Sequence, residues 1–78
     1  MVRESRTKRH YVVCLINRGY KASLLVRRLY RALPDEEGAE QGLVRVVDES
    51  GEDYLYPARM FAAIELPPAV ERAFRRVT

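Results

Sequence analysis

Chemistry needs convergent side chains, and the 78-residue chain carries one cysteine, Cys14, and one histidine, His10. A metal site needs several Cys, His or carboxylate ligands around one point, so a structural zinc site is excluded and neither metal nor cofactor is expected. On an extended segment His10 and Cys14 share a face roughly 13 Å apart, too far for a thiolate–imidazolium pair. Cys14 reads instead as a small core residue. The acidic pairs Glu36/Glu37 and Glu52/Asp53 fall in expected loops and turns, where solvent keeps them ordinary anions and not tuned acids or bases. Gly19, Gly38, Gly42 and Gly51 are too scattered for a phosphate-cradling loop, which needs closely spaced glycines opening a helix. No catalytic residue is assigned, and a protein without enzymatic activity is expected.

What remains able to make contacts is charge and aromatic surface. Residues 1–33 hold nine Lys or Arg against Glu4 alone, a local charge of +8; residues 34–66 hold nine acids against Arg45 and Arg59, giving −7; the last twelve carry +2. The net charge of +3 therefore conceals a dipolar chain. Clustered charge of one sign attracts a polyanion or a cationic partner, although a folded surface can also neutralise itself. Arg3, Arg6, Lys8 and Arg9, with Lys21, Arg27, Arg28 and Arg31, are the candidate nucleic-acid contacts, and phosphate neutralisation by them would show as a steep salt dependence. Tyr54 and Tyr56 are candidate protein contacts. Facing outward, their rings offer a semi-polar patch suited to interfaces or stacked bases; facing inward, they join the core and leave Leu55 exposed.

These side chains need a scaffold. Residues 1–9 hold one apolar side chain after the initiator and no periodicity, which reads as a flexible basic arm. His10 to Ile16 is rich in β-branched and aromatic residues before the turn signal Asn17-Arg18-Gly19, and reads as a strand. Both of its alternating faces are apolar, so it needs cover on both sides. Residues 21–33 satisfy two periods at once. Leu25, Leu29 and Leu33 line a helical face beside Val26 and Tyr30, while Leu29, Arg31 and Leu33 alternate with Tyr30 and Ala32 as on a strand. Residues 34–42 are an acidic, solvent-facing loop with room for a helical turn. Leu43 to Asp48 and Asp53 to Tyr56 flank Glu49-Ser50-Gly51-Glu52 as a hairpin. Ala58 to Phe61 can make a short helical turn, and Ala62 to Leu66 a closing strand ended by Pro67-Pro68. Val70, Ala73, Phe74 and Val77 then recur at helical spacing, with Glu71 near the positive start and Arg75 and Arg76 near the negative end. A helix of about ten residues is marginal alone and must dock, on the strands or on a second chain.

Length bounds the rest. With 78 residues and 47% apolar side chains, the chain is one small domain whose core supports a net stability of roughly 3–5 kcal/mol. The longest apolar run, Tyr11 to Ile16, is six residues, against roughly 20 needed to cross a bilayer, and is too short for a signal peptide. One cysteine makes no internal disulfide, so the expected setting is the reducing cytoplasm.

The segment LVRVVDESGEDYLYPARMFAAIEL, from Leu43 to Leu66, resembles the second half of a Src-homology-3 type barrel. Tyr56-Pro57 is similar to that family's aliphatic-Pro step, Ala58 to Phe61 to its tight helical turn, and Ala62 to Leu66 to its last strand. Upstream, SLLVRRLYRALPDE resembles the end of the long first loop and the strand after it, with Leu29 to Leu33 as the strand. ASL at 22–24, YRALPDE at 30–36 and DESGEDYLYP at 48–57 also resemble small bacterial proteins of this kind without established function. The resemblance covers about two thirds of the chain. It implies a mainly β fold: a small five-stranded barrel over residues 10–66, a C-terminal helix over 67–78 docked on it, and the arm at 1–9. It does not carry over polyproline binding, because the chain has no tryptophan and Met60 stands where the family's groove tyrosine would be. Met60 joins Tyr54 and Tyr56 as a candidate protein contact.

Two functional readings follow. One is a non-enzymatic barrel that binds another protein through a groove or the hairpin face. The other is a nucleic-acid-binding protein using the arm and the basic residues of 21–31. If 21–33 were helical, a small dimeric DNA-binding regulator would replace the barrel.

Overall fold

The computed structural model describes residues 10–77. The expected arm at 1–9, with Arg3, Arg6, Lys8 and Arg9, lies outside the described residues, as do the side chains of Arg75, Arg76 and Val77. Strand β1 (His10–Cys14) forms where β-branched and aromatic residues favour a pleated backbone. It ends two residues before the expected Ile16. The amides of Leu15 and Ile16 both donate to the carbonyl of Met60, at 2.8 and 3.3 Å, so one-to-one pairing stops there.

Residues 15–28 form a long loop of turns, and β2 (Leu29–Leu33) follows. The helical alternative for 21–33 does not form. Arg27 takes φ +69°, a left-handed conformation that a helix interior does not tolerate. Its amide donates to the Cys14 carbonyl at 2.7 Å while the Cys14 amide donates to the Arg28 carbonyl at 3.0 Å. Two residues thus oppose one, which is a β-bulge. Strand pairing wins because β2 gains a hydrogen-bonded neighbour on each side and buries Tyr30 and Ala32.

The acidic stretch that follows contains one helical turn, α1 (Glu36–Glu40). Asp35 caps it by accepting from the Gly38 amide at 2.8 Å, and Glu36 and Glu37 complement the positive end. Gly38 is buried so close to Leu55 that a Cβ on it would lie 2.9 Å from that side chain's Cδ2. The hairpin of β3 (Leu43–Val47) and β4 (Asp53–Pro57) forms as expected, with Gly51 at φ +88° in its turn. A 3-10 turn (Ala58–Met60), β5 (Phe61–Ile64) and α2 (Pro68–Val77) complete the chain.

The five strands make one open antiparallel sheet in the order β4-β3-β2-β1-β5. One face carries the core: Val12, Cys14, Tyr30, Ala32, Val46 and Tyr56, plugged by Leu24 from the long loop. Tyr11 points the other way along β1 and is also buried. There the ring of Phe74, from α2, meets it edge-on at 5.7 Å. Val70, on the same apolar stripe of α2, stays exposed.

Candidate interaction surface

Two hydrogen-bonded groups bolt the 15–28 loop to the hairpin. Asp48, 6% exposed, accepts from the Ser50 amide at 2.8 Å and from the Ser50 hydroxyl through one oxygen. Its other oxygen accepts from the Tyr56 hydroxyl at 2.6 Å, and Ser23 Oγ of the loop lies 3.1 Å from that hydroxyl. In the second group the Leu25 amide donates to Tyr30 Oη at 2.7 Å, and Tyr30 donates to Glu49, which also holds Arg28 at 2.9 Å. Backbone contacts reinforce both. The Glu49 amide donates to the Ser23 carbonyl at 3.0 Å, Asn17 Nδ2 to the Leu24 carbonyl at 3.0 Å, and the ring of Tyr20 packs edge-on against Tyr56 at 5.0 Å.

The electrostatics of these groups suit holding, not proton transfer. Burial pushes Asp48 up, yet the Ser50 and Tyr56 hydroxyls and the Ser50 amide outweigh it and hold the carboxyl below its ordinary value. Burial, then the bond to Glu49, pushes Tyr30 up to about 12. Tyr56 is raised by burial and by Asp48, and burial raises Cys14. Phenols and thiol are therefore protonated near neutrality, and the carboxylate is already bonded through both oxygens.

Between these anchors the loop leaves large apolar side chains in solvent. Leu15, Ile16, Tyr20 and Leu25 are exposed at 50, 46, 40 and 46%. Arg18, Lys21 and Arg27 are exposed among them, and none forms an ion pair with the described residues. Arg45, by contrast, bonds Asp35 at 2.8 Å and Asp53 at 3.0 Å. The Gly38 amide and then Arg45 lower the Asp35 carboxyl. That pair borders an apolar groove of about 410 Å³ against Leu33, Leu43 and Ile64.

The candidate protein contacts do not form one surface. Tyr56 and Met60 are core residues, 3 and 4% exposed. Tyr54, on the same face of β4 as Tyr56, is exposed, its hydroxyl donating to Glu52 at 2.8 Å. Position on an edge strand near the turn takes Tyr54 past the cover that the long loop gives Tyr56. Leu55 is exposed as well. Of the candidate nucleic-acid contacts, Lys21 and Arg27 stand exposed on the loop, Arg28 is exposed but paired, and Arg31 is half-buried on β2.

Sequence reasoning missed Asp48 and Ser23 as anchors and placed Leu15 and Ile16 on a strand. Asp48-Glu49-Ser50-Gly51 carried a usable signal, because a short acid two residues before a serine folds back on the turn's backbone. Ser23 bonds Tyr20 three residues back, but the partners that make it an anchor, Tyr56 and Glu49, are 25 or more residues away in the chain. Among the described residues no three His, Cys, Asp or Glu side chains converge on a metal-sized space, and no helix is long and apolar enough to cross a membrane. No protein-family model, no curated protein and no solved structure matches the chain.

Proposed function

We propose that the chain is a non-enzymatic interaction module, a Src-homology-3-like barrel in its connectivity, that binds another protein through the outer side of the 15–28 loop. The observation that carries this reading is the concentration there of four exposed large apolar side chains, Leu15, Ile16, Tyr20 and Leu25, among three exposed cations. Apolar residues left in water on a well-tethered backbone are what a partner covers. Arg27 adds weight: a long cation held at φ +69°, where glycine would be unstrained, is a local cost that a contact role offsets. The partner's matching surface is acidic with apolar side chains. The barrel part of the reading is supported by the strand order, the long first loop, the tight hairpin and the 3-10 turn before the last strand. A reducing cytoplasm belongs to the same reading, supported by the single, buried Cys14.

The test is affinity capture with the full chain and with a Leu15→Ser, Leu25→Ser variant of matched melting temperature. A partner retained by the parent and lost by the variant supports the reading; identical capture by both overturns it. Nucleic acid is the second reading, favoured by exposed Arg18, Lys21 and Arg27 on the same loop as the partly exposed ring of Tyr20, since cations and an aromatic ring together suit a stacked base. Fluorescence anisotropy of mixed-sequence single- and double-stranded oligonucleotides at two salt concentrations, with and without residues 1–9, decides it. Micromolar binding that weakens steeply with salt would replace the protein reading, and no binding at low salt would retire the nucleic-acid one.

A further inference from the structure

A sheet in the order β4-β3-β2-β1-β5 has two outer edges, and they differ in residue type. β4 carries Asp53 at one end and Pro57, which has no N–H, at the other; charge and proline are what keep an edge from pairing. β5 is Phe61-Ala62-Ala63-Ile64, with neither. Its outward hydrogen-bonding groups follow from the alternation of an antiparallel ladder. Cys14 exchanges bonds with residues 27 and 28 and so faces β2, whereas the Leu15 amide turns to Met60. Along β1, Tyr11 and Val13 therefore face β5, where they meet Ile64 and Ala62. Phe61, Ala63 and the following Glu65 point their backbone groups the other way, off the sheet. The Phe61 amide is used on the Ala58 carbonyl. What remains is the Phe61 carbonyl, both groups of Ala63 and the Glu65 amide, none with a hydrogen-bond partner among the described residues. Ala63 and Glu65 are exposed, so the edge stands open.

We infer that this edge pairs with the same edge of a second copy of the chain, antiparallel about a two-fold axis at Ala63. Two features select a second copy. The first is that the row of free groups is complementary to itself when reversed. Each Ala63 amide donates to the other copy's Ala63 carbonyl, and each Glu65 amide to the other copy's Phe61 carbonyl, so every free donor meets a free acceptor. The second is charge. Glu65 and Arg59 are both exposed, and neither forms an ion pair with the described residues. With Ala63 opposite Ala63, Glu65 stands opposite the second copy's Phe61, and Arg59, two residues before Phe61, comes within diagonal reach of it. The axis makes that attraction twice. Such a pairing is closed, using the same patch on both copies, and joins the two sheets into one. It leaves the 15–28 loop outside the contact and does not depend on what that loop binds.

The experiment is sedimentation equilibrium of the full chain up to about 1 mM. A reversible dimer of the 9.1 kDa chain is expected, with a dissociation constant on the order of 100 µM, as suits a small contact. Amide hydrogen exchange at Ala63 and Glu65 should slow as the chain is concentrated, while that of Leu55 on the opposite edge should not change. Ala63→Pro removes an outward N–H that no bond within the described chain uses, a position where an edge strand tolerates proline, and should weaken the dimer at least about tenfold. Glu65→Arg and Arg59→Glu should each weaken it about threefold, and the two together in one chain should restore it. That charge exchange gives an independent reading should the proline variant fail to fold. The Leu15→Ser, Leu25→Ser variant should dimerise as the parent does. A chain still monomeric at about 1 mM, a dimer undiminished by folded Ala63→Pro, charge reversals without effect or without mutual rescue, or a dimer lost with the loop substitutions would each overturn the assignment.

Discussion

Of the three connections that join antiparallel neighbours in this sheet, the first and the last are held by different forces. The β3–β4 connection spans residues 48–52 and is closed from within: Gly51 at φ +88°, its amide on the Asp48 carbonyl at 2.9 Å, and Ser50 on the Asp48 carboxylate. The β1–β2 connection spans residues 15–28 and borrows its order from elsewhere, through Leu24 in the core, Ser23 beside Tyr56, and Leu25 on Tyr30. A short turn satisfies its own backbone and has little surface to spare. A long loop anchored at a few points leaves the side chains between the anchors uncovered, which is why exposed apolar residues occur there. The hairpin thus serves as the scaffold on which the loop is fixed.

The comparison is broken most severely by removing the loop's plug. Leu24→Ala, at a fully buried site, should cost about 3 kcal/mol, which is most of the stability of a domain this size. A urea midpoint near zero checks it; a loss below about 1 kcal/mol would mean that the loop is not anchored through the core. Next, Tyr56→Phe removes one donor from buried Asp48 and should cost about 1–2 kcal/mol, with loop amides such as Ser23 exchanging faster while those of the hairpin turn stay protected. The same variant changes the acid limb. Asp48 is depressed in the folded state, so its contribution is full above the unfolded carboxylate value and is lost as pH falls through the folded one. With a donor gone the folded value rises, the depression shrinks, and less stability is lost on acidification; a pH–stability profile of the variant as steep as that of the parent would contradict this.

At the alkaline end Tyr30 is raised to about 12. Its contribution is present below its ordinary value near 10 and should fade as pH rises from there toward 12, and Tyr30→Phe should flatten that limb in a denaturation series. A smaller effect is expected at the hairpin itself. Gly51→Ala, at a position with open space around it, meets only the left-handed backbone strain, about 1 kcal/mol, and should leave the loop's amide shifts unchanged. The smallest effect has the opposite sign. Arg27→Gly relieves strain and should stabilise by about 0.5 kcal/mol while weakening the proposed partner contact, so a variant that gains stability and loses nothing in binding would argue that Arg27 is a structural accident.

Legibility followed the same divide. The hairpin could be read from residues 43–56 because every signal it uses is local: alternation, a serine and glycine in the turn, and Pro57 at the end. The C-terminal helix was legible for the same reason, from its proline start and 3.6-residue stripe. Residues 21–33 were not, because Leu25, Leu29 and Leu33 fit a helix as well as Leu29, Arg31 and Leu33 fit a strand. Edges flanking β2 on both sides settled the choice, and those edges belong to β1 and β3, far away in sequence. The candidate site was only partly visible: Lys21 and Arg27 were picked out by charge, whereas Leu15, Ile16 and Leu25 looked like core.

Sequence alone thus determined the elements with local signatures, the hairpin of residues 43–56 and the C-terminal helix, since short-range spacing decides these. Tertiary structure decided which apolar residues were buried and which were left in water. Tyr54 and Tyr56 share one face of one strand, yet only Tyr56 lies under the loop; Asp48 is a turn acid in sequence and a buried anchor in the fold. Burial depends on what packs over a residue, and the covering chain comes from sequence-distant segments whose identity no local pattern encodes.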